Sequence, residues 1–357
     1  MSIETNPTQG TEAVPMFLRD VWYMAALARD FARGDMRRVM LLGEPVVIGR
    51  MRDGNVFALR DICPHRGVPL SAGKVMTENT VECPYHGWRF RGDGACSMIP
   101  SLVDNQDMDP AKIRVRSYPA SEQDGLIWIF VAANERSTDT PKSAPPKAGV
   151  PNAKVRWTIS QTFRCNIDHA VIGLMDPAHA PYVHGRWWWK VSPRLKEKHY
   201  APLPTGFVMT RHQPSKPAYK MFGGDVSTEI TFELPAVRFE NIAGTVMGKH
   251  IDVVGLTTCT PIDADTTQVT QIFYWPSWMN FLKPFFMLLG PIFLSDDRKM
   301  VELQREGLKF NPNLMLIQDS DVPAMWYHRL KKAWAESVTN GTVFENPVKE
   351  RTLRWRS

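Results

Sequence analysis

The sequence is poor in cysteine, with five among 357 residues, an odd number. So few cysteines in a chain of this length do not form a disulfide framework, and metal binding by some of them is the better expectation. The first 14 residues are polar and lack the apolar segment of a secretory signal, which favours a cytoplasmic protein.

Long apolar runs are also scarce. The one long run, residues 281–294, is shorter than the ~20 residues that cross a bilayer, and it contains Lys283, Pro284 and Pro291. We therefore expect no membrane span. The favoured interpretation is a kinked, buried helix or loop that lines a core or a pocket, and the alternative is association with a membrane surface.

Charge of one sign is not concentrated. Lysine and arginine number 43 against 37 acidic residues, which leaves a net charge of +6 without a dense basic run. This balance argues against nucleic-acid binding and fits an acidic protein partner, although solvated lysines would give the same balance. No Gly-x-Gly-x-x-Gly fingerprint is present, so we expect no flavin or nicotinamide module in this chain.

The composition, 43% hydrophobic and 22% charged, is typical of a globular protein. Residues 137–151 are rich in proline, lysine, alanine and serine and have almost nothing to bury, which indicates a linker. We therefore predict a flexible tail at 1–14, a first domain at 15–136 and a second domain at 152–357.

Apolar patterning predicts strands in the first domain and a mixture of strands and helices in the second. The predicted strands are 46–50, 56–59, 126–131, 226–232, 237–240 and 244–247, with a hairpin formed by 251–260 and 266–275. The predicted helices are 166–184, 296–310 and 324–338. This order predicts an α+β fold, with an all-β N-terminal domain followed by a domain of antiparallel sheet and helices.

Two short segments of the first domain pair one cysteine with one histidine each. The first segment is Cys63-Pro-His65-Arg-Gly and the second is Cys83-Pro-Tyr-His86-Gly-Trp, with seventeen residues between His65 and Cys83. Two thiolates and two imidazoles can bind one zinc ion or one two-iron cluster. Zinc fingers pair like with like over a helix, whereas here each turn has one ligand of each kind between predicted strands, which favours the cluster.

A second set of polar residues lies in the next domain, with the spacing Asp176-x-x-His179-x-x-x-x-His184. On a helix, Asp176 and His179 would share a face. Pro181 is expected to end or kink that helix and so to let His184 turn towards the same point. Taken alone, two core or surface histidines would explain the pattern equally simply. Two histidines and a carboxylate are the ligand set of non-haem Fe(II) oxygenases.

The CPHRG and CPYHGW segments resemble the Rieske [2Fe–2S] motif. In that chemistry the two cysteines, Cys63 and Cys83, hold one iron and the two histidines, His65 and His86, hold the other. With the second histidine set, nearly the whole chain resembles the catalytic α subunit of the Rieske non-haem iron oxygenases. Its compact length resembles the α-only demethylase branch, which includes vanillate and dicamba O-demethylases and herbicide N-dealkylases.

The resemblance implies further site residues. The family takes its third iron ligand from a late, acidic helix start, and alignment on Glu302 makes Asp297 that ligand, with Asp296 preceding it. The alternative is that both aspartates only cap the helix. In the family an aspartate bridges two histidines between subunits of a head-to-tail homotrimer, which implies the electron path His86, Asp176, His179.

Other residues lie outside these two ligand sets. Many family members have asparagine where this chain has Gly173, which implies smaller and less polar surroundings near the iron. Three consecutive tryptophans at 187–189 form either a subunit contact or pocket lid, or ordinary packing. Cys96, Cys165 and Cys259 are interpreted as structural thiols.

The implied cofactors are a [2Fe–2S] cluster and a mononuclear Fe(II), with O₂ as co-substrate. The implied partners are a reductase and a ferredoxin, which supply electrons, and a small aromatic substrate. The expected reaction is oxidative N- or O-demethylation, with N-dealkylation of an aryl amide or urea slightly favoured, because residues 281–294 predict an apolar pocket with no arginine. The alternatives are a ring-hydroxylating dioxygenase and a Rieske electron carrier.

Overall fold

The computed structural model describes residues 4–5, 14–134, 140–150, 153–185, 194–214, 225–246 and 248–357. It divides the chain into two compact units, Arg19–Lys147 and a second made of Met1–Leu18 with Ala148–Ser357. The change of unit at residue 147 falls inside the predicted linker. Residues 14–18 belong to the C-terminal unit, where Lys331 Nζ donates a hydrogen bond to the Met16 carbonyl at 2.9 Å, although the predicted first domain began at residue 15.

The N-terminal unit is built from three small antiparallel sheets. Their strands, in chain order, are β2 (Val21–Leu27), β3 (Met36–Leu41), β4 (Glu44–Arg50), β5 (Val56–Arg60), β6 (Lys74–Val75), β7 (Thr80–Glu82), β8 (Arg89–Arg91), β9 (Cys96–Met98), β10 (Ala120–Gln123) and β11 (Leu126–Val131). The strand orders are β10-β11-β2, β3-β4-β5 and β6-β7-β8-β9. Every residue of β11 is buried, as its unbroken apolar sequence predicts.

The C-terminal unit is dominated by one eight-stranded antiparallel sheet. Its strands are β12 (Val155–Phe163), β13 (Leu195–Leu203), β14 (Gly206–His212), β15 (Ser227–Glu233), β16 (Val237–Val246), β17 (Lys249–Asp263), β18 (Thr266–Tyr274) and β20 (Arg351–Arg356), in the order β12-β18-β17-β16-β15-β14-β13-β20. The two-residue strands β1 (Glu4–Thr5) and β19 (Met315–Leu316) pair separately. The α+β class predicted from the sequence is therefore confirmed.

Among the residues that the structure describes, four α-helices accompany this sheet: α1 (Ile167–Met175), α2 (Ala180–Val183), α3 (Lys283–Leu308) and α4 (Val322–Asn340). Helix α1 contacts α3, α4 and the β17–β18 hairpin, and α3 also contacts β12. An ion pair between buried Lys331 of α4 and half-buried Asp168 of α1, at 2.7 Å, fixes these two helices together. Because α1 lies among all these elements, the residues at its C-terminal end are held against α3.

Two predictions of strands and helices were wrong in detail. The separate strands at 237–240 and 244–247 are one continuous strand, because Asn241 pairs with Glu229 on one side and with Val254 on the other. The predicted helix at 296–310 begins earlier, at Lys283, so Asp296 and Asp297 lie inside α3 and do not cap it.

Residues 281–294 are helical, but the prediction that they are buried was wrong. They belong to a 3₁₀ helix, Ser277–Leu282, that continues into α3. By length and composition alone, Ser277–Leu308 is long and apolar enough to cross a membrane. Only 17% of its most apolar stretch is buried. One side of this helix packs on the sheet, so it lies along the C-terminal unit with its other side exposed.

Candidate metal centres and substrate cavity

The two Cys/His segments of the N-terminal unit form matching loops. Cys63 N donates to the Val68 carbonyl at 2.9 Å, and Gly67 N donates to the Cys63 carbonyl at 2.9 Å. The second loop repeats both bonds, with Cys83 N donating to the Trp88 carbonyl at 2.8 Å. Each loop is thus closed by its own backbone, and this closure sets the direction of its cysteine and histidine side chains.

Both loops turn on a glycine with a left-handed backbone. The φ angles are +73° at Gly67 and +72° at Gly87, values that side chains other than glycine rarely adopt. At Gly87 a Cβ atom would also lie 3.0 Å from Pro100 Cγ. Gly67 and Gly87 are therefore geometric requirements of their loops.

The side chains of the two loops separate by type. Cys63 and Cys83 are buried in the hydrophobic core of the unit, whereas His65 and His86 are exposed, with ring centroids 4.5 Å apart. Burial, with a smaller contribution from neighbouring Cys83, raises the pKa of the Cys63 thiol to about 11. A metal would bind these sulfurs as thiolates, so the arrangement suits a cluster with an inner cysteine-bound iron and an outer histidine-bound iron.

In the C-terminal unit, Asp176 and His179 do not share one helix as predicted. Helix α1 ends at Met175, and Asp176 is its C-terminal cap with an extended backbone, φ −64° and ψ 116°. The cause is Pro177, which disfavours a helical conformation in the residue before it. Pro181, predicted to end or kink a helix, instead lies in the first turn of α2, where proline is favoured.

Helix α2 has one histidine at each end, because His179 is its N-terminal cap and His184 its C-terminal cap. Their Nε2 atoms both face one oxygen of Asp297 on α3, at 3.6 Å from His179 and 3.1 Å from His184. The possible ligand atoms of these three residues all lie within 4.8 Å of one another. The three side chains predicted from sequence and resemblance therefore meet at one point, in a geometry that fits a metal with open positions.

The other ring nitrogen of each histidine faces a further carboxylate. His179 Nδ1 lies 3.7 Å from Asp176 Oδ2, and His184 Nδ1 lies 3.7 Å from Asp296 Oδ2. Asp176 Oδ1 also accepts a hydrogen bond from Ala178 N at 2.7 Å, and burial raises the pKa of this carboxyl group. Carboxylates in this position orient metal-binding imidazoles.

The role of Asp296 could not be read from sequence, where it appears only as the residue before Asp297. Successive residues of an α-helix point about 100° apart, since 3.6 residues complete a turn. Asp296 and Asp297 can therefore approach His184 from two sides, one at each ring nitrogen. The sequence feature that could have indicated this role is the Asp-Asp pair, but only when the pair is known to lie inside a helix.

Gly173 lies where α1 crosses α3. A Cβ atom at this position would lie 3.3 Å from Cγ2 of Val301, a buried residue of α3. Any larger side chain would require Val301 to move by a few tenths of an ångström. The departure from the family pattern at Gly173 thus accompanies a close helix contact just before Asp176.

A cavity of about 380 Å³ adjoins the three converging residues and includes Asp176, His179, His184 and Asp297 in its wall. The apolar part of its lining comes from the sheet, α1 and α3: Trp157, Leu174, Met175, Phe207, Met209, Ile230, Phe232, Ile242, Val253, Phe273, Phe285, Phe286, Leu289 and Phe293. Phe293 also stacks on the His184 ring, with centroids 4.0 Å apart. Such an apolar lining with a few polar groups is typical of a small-molecule site.

The polar part of the lining comes from the sheet. Arg238 lies in the wall beside Glu240, with Nη2 3.3 Å from the carboxylate. Lys198 and His212 also line it, and burial lowers the pKa of both groups. The expectation of a pocket without arginine was wrong, because Arg238 of β16, outside residues 281–294, lines the cavity beside Glu240.

The remaining predicted residues have simpler surroundings. Cys96, Cys165 and Cys259 are buried free thiols, and burial raises the pKa of each, to about 12 for Cys165. The tryptophans at 187–189 lie outside the described residues.

Two family models match the chain in succession. Residues 21–119 match the Rieske [2Fe–2S] domain, and residues 163–337 match the vanillate O-demethylase oxygenase C-terminal domain. The first match contains both Cys/His loops, and the second contains the converging His179, His184 and Asp297.

Curated relatives match part or most of the chain. The oxygenase component of dicamba O-demethylase from Stenotrophomonas maltophilia is 37% identical over 177 residues, 47% of this chain and 48% of the relative. Chlorophyllide a oxygenase from Chlamydomonas reinhardtii is 35% identical over 47% of this chain and 24% of its own length. The 4beta-methylsterol monooxygenase from Methylococcus capsulatus is 28% identical over 83% of each protein. The chain thus spans less than half the length of the first curated relatives it matches.

Solved structures share the fold. Dicamba monooxygenase bound to dicamba superposes with a TM-score of 0.70 at 24% identity, covering 91% of this chain and 99% of the other. The NdmA QL mutant from Pseudomonas putida CBB5 with caffeine gives a TM-score of 0.68 at 20% identity, covering 93% and 97%. With both domains matched in order and the same architecture over nearly its full length, the chain belongs to the Rieske non-haem iron oxygenases of the demethylase branch.

Proposed function

We propose that this chain is the oxygenase component of a multicomponent Rieske monooxygenase. It would use O₂ and external electrons for oxidative dealkylation, an N- or O-demethylation, of an aromatic compound. The observation that carries the proposal is the meeting of His179, His184 and Asp297 in the wall of an apolar cavity. The matched Rieske domain supplies the means of bringing single electrons to that point.

The donor sets fit the cofactors of this chemistry. We assign Cys63, His65, Cys83 and His86 to the [2Fe–2S] cluster, in keeping with their buried sulfurs and exposed imidazoles. His184 is 4% exposed, so the protein around His184 would shield a metal ion bound between it and Asp297 from bulk water. Ferrous iron, when held there by His179, His184 and Asp297, supplies O₂ activation at its open positions.

The surrounding residues prepare the site. Asp176 and Asp296 face the Nδ1 atoms of the two histidines and so direct the Nε2 atoms towards Asp297. The aromatic wall formed by residues such as Phe286 and Phe293 excludes water beside the substrate. Hydroxylation of the substrate carbon bonded to nitrogen or oxygen gives a hemiaminal or hemiacetal, which collapses to the dealkylated product and an aldehyde.

We also propose that electrons pass between subunits of a homotrimer, from His86 of one chain through Asp176 to His179 of its neighbour. His86 is exposed, and the Asp176 side chain keeps 34% of its surface accessible, so each can be reached from outside its own unit. The donors upstream would be a ferredoxin and a reductase, and the mildly basic chain suits an acidic ferredoxin.

The cavity supports an uncharged substrate, since Arg238 is opposed by Glu240, burial lowers the pKa of Lys198 and so disfavours its charged form, and most of the remaining lining is apolar. An aryl amide or urea with an N-alkyl group meets this requirement and remains slightly preferred over a methoxybenzoate, whose carboxylate would need a free cation. The protein is proposed to act in the cytoplasm.

Product analysis tests the proposal. The purified protein is supplied with a surrogate reductase and ferredoxin and a panel of N-alkyl anilides, phenylureas and methoxybenzoates. We expect aldehyde and dealkylated product in equal amounts, with one O₂ consumed per dealkylation. We expect no product from Asp297→Ala. A cis-diol product would instead indicate a ring-hydroxylating dioxygenase. Reduction of the cluster without O₂ consumption with any substrate would indicate an electron carrier.

A further inference from the structure

One exposed apolar surface of the C-terminal unit has no role in the proposed chemistry. Trp278, Phe281, Phe285 and Leu288 follow one another at spacings of three, four and three residues and expose 37%, 63%, 40% and 69% of their surface. This spacing places them on one side of the continuous helix formed by the 3₁₀ segment and α3. With adjacent Met287, 64% exposed, they form what we call the apolar face.

The opposite side of the same helix is fixed to the sheet. Met279 and Leu282 are buried, and Phe286 packs against Trp275 and Phe273, with ring centroids 5.2 and 4.9 Å apart. A Cβ atom on Gly290 would lie 2.2 Å from Trp157, so the helix cannot be lifted away without loss of this close packing. The segment is therefore built to lie along a surface and not to pass through a bilayer.

Charge around the apolar face has one sign along the helix. Lys283 is the single charged residue between Asp265 and Asp296. Lys249, at the start of β17, holds its Nζ 5.8 Å from the Trp278 ring centroid, and the nearest acid on that strand, Asp252, faces His250 at 3.5 Å. Apolar and aromatic side chains bordered by lysines are characteristic of helices that bind the interface of anionic bilayers.

The apolar face also borders the cavity. Phe285 is 40% exposed and is at the same time part of the cavity lining, together with Leu289 one turn further on. A single helix thus separates an apolar outer surface from an apolar inner one.

We propose that the apolar face docks on the surface of an anionic bilayer, with the helix lying in the interface, and that apolar substrates reach the cavity from the bilayer past Phe285. The docking stands on the exposed face and its lysines. The passage of substrate rests in addition on the proposed function.

Vesicle co-sedimentation tests the docking. The holoprotein is mixed with vesicles of phosphatidylcholine alone or with a quarter phosphatidylglycerol. We expect binding to the anionic vesicles that weakens as salt is raised, and a fall in partition of about ten-fold or more in Phe281→Glu/Leu288→Glu. The control is Phe310→Glu, which changes an 85% exposed phenylalanine outside the apolar face and should leave binding unchanged. Lys283→Gln should weaken binding to the anionic vesicles alone.

Two measurements make the outcome decisive. Quenching of tryptophan fluorescence by brominated lipid should be smaller in Trp278→Phe than in the original chain, and the cluster spectrum checks that each variant is folded. Absence of vesicle binding, or equal binding by Phe281→Glu/Leu288→Glu, overturns the proposal. A change of oligomeric state in that variant, without vesicle binding by the original chain, would show that the face is a contact between copies.

The substrate route has its own readout. A long-chain N-alkyl anilide embedded in anionic vesicles should be turned over faster by the original chain than by Phe281→Glu/Leu288→Glu, while a short-chain, water-soluble analogue should be turned over equally by both. Equal rates with the embedded substrate overturn the route. Vesicle binding is measured without turnover, so failure of the dealkylation proposal and failure of docking remain distinguishable.

Discussion

Each loop of the N-terminal centre closes on its own backbone within six residues, whereas the C-terminal centre takes His184 from the end of α2 and Asp297 from α3, more than a hundred residues later. The first centre is local, and its four side chains follow from the loop sequences. The second depends on how α1 and α3 pack in their unit. We therefore expect the second centre to be sensitive to substitutions that the first would not feel.

The largest expected effect comes from Asp297→Ala, which removes the carboxylate shared by His179 and His184. The original chain, purified anaerobically, should contain about three irons and two labile sulfides. The variant should lose one iron and all turnover while keeping the Rieske spectrum, because the cluster loops belong to the other unit. Iron, sulfide and absorption measurements check this.

The matched variant is Asp296→Ala, which removes the neighbouring carboxylate from the same helix. If Asp296→Ala loses the iron and Asp297→Ala keeps it, the assignment of the third ligand is displaced by one residue. Stoichiometric zinc without sulfide in the original chain would contradict the assignment of a [2Fe–2S] cluster to the N-terminal centre.

The contrast between the centres also explains what could be predicted. Cys63, His65, Cys83 and His86 could be proposed as a set because short turns with glycine fix their positions. The break at Pro177 was missed because both Asp176 and His179 fit one helical face, and only the restriction on the residue before proline distinguishes the two arrangements.

Other features needed tertiary structure. Strands β13, β14 and β20 were not predicted, since their polar residues alternate with few buried ones, as in β13, where Tyr200 alone is fully buried. The exposure of Phe281 and Leu288 was missed because hydropathy reports that a segment is apolar and not which side is covered. The position of Asp296 beside His184 required knowing that α3 begins at Lys283.

The next effect tests whether the two centres work together. Asp176→Asn keeps the side-chain shape but removes its charge beside His179. Both metals should remain bound and the cluster reducible, while turnover falls by about 100-fold, because the substitution removes a charge on the proposed electron path as well as an orienting group. Stopped-flow reduction of the cluster and product formation measure the two halves separately.

Complementation distinguishes the route between subunits from a local role. Mixed trimers of an Asp176→Asn chain and a Cys63→Ala chain should recover partial activity, because some neighbouring pairs keep an intact path. Near-normal turnover in Asp176→Asn with metals bound contradicts the bridge. Verified mixed trimers without activity contradict only the route between subunits.

A smaller effect is expected from Asp296→Asn. Asp296 lies outside the proposed electron path, and its carboxylate is 3.7 Å from His184 Nδ1, beyond hydrogen-bond distance. Only iron affinity should therefore fall, by about ten-fold, the lower range for an outer-shell partner. Iron titration into the metal-free protein measures this loss, and saturating iron should restore most turnover. Unchanged affinity would show that Asp296 does not orient His184.

The smallest effect concerns the helix contact on which the C-terminal centre depends. Gly173→Asn would place a Cβ atom 3.3 Å from Val301 Cγ2, and the branched, buried valine cannot turn away freely. Overpacking costs about 1–3 kcal/mol, and replacing glycine in a helix returns a few tenths to about 0.5 kcal/mol, so we expect a net loss near 1 kcal/mol. Gly307→Asn is the matched control, since a Cβ atom there meets nothing within 4 Å.

A double variant tests the contact itself. Gly173→Asn should also weaken iron binding, and Gly173→Asn/Val301→Ala should recover part of that lost affinity, because relief of the contact lets α1 return towards α3. Thermal unfolding followed at the tryptophans and iron titration measure the two effects, while the Rieske spectrum should be the same in all variants. Equal destabilisation by Gly173→Asn and Gly307→Asn would show that the close contact with Val301 is not what requires glycine at this position.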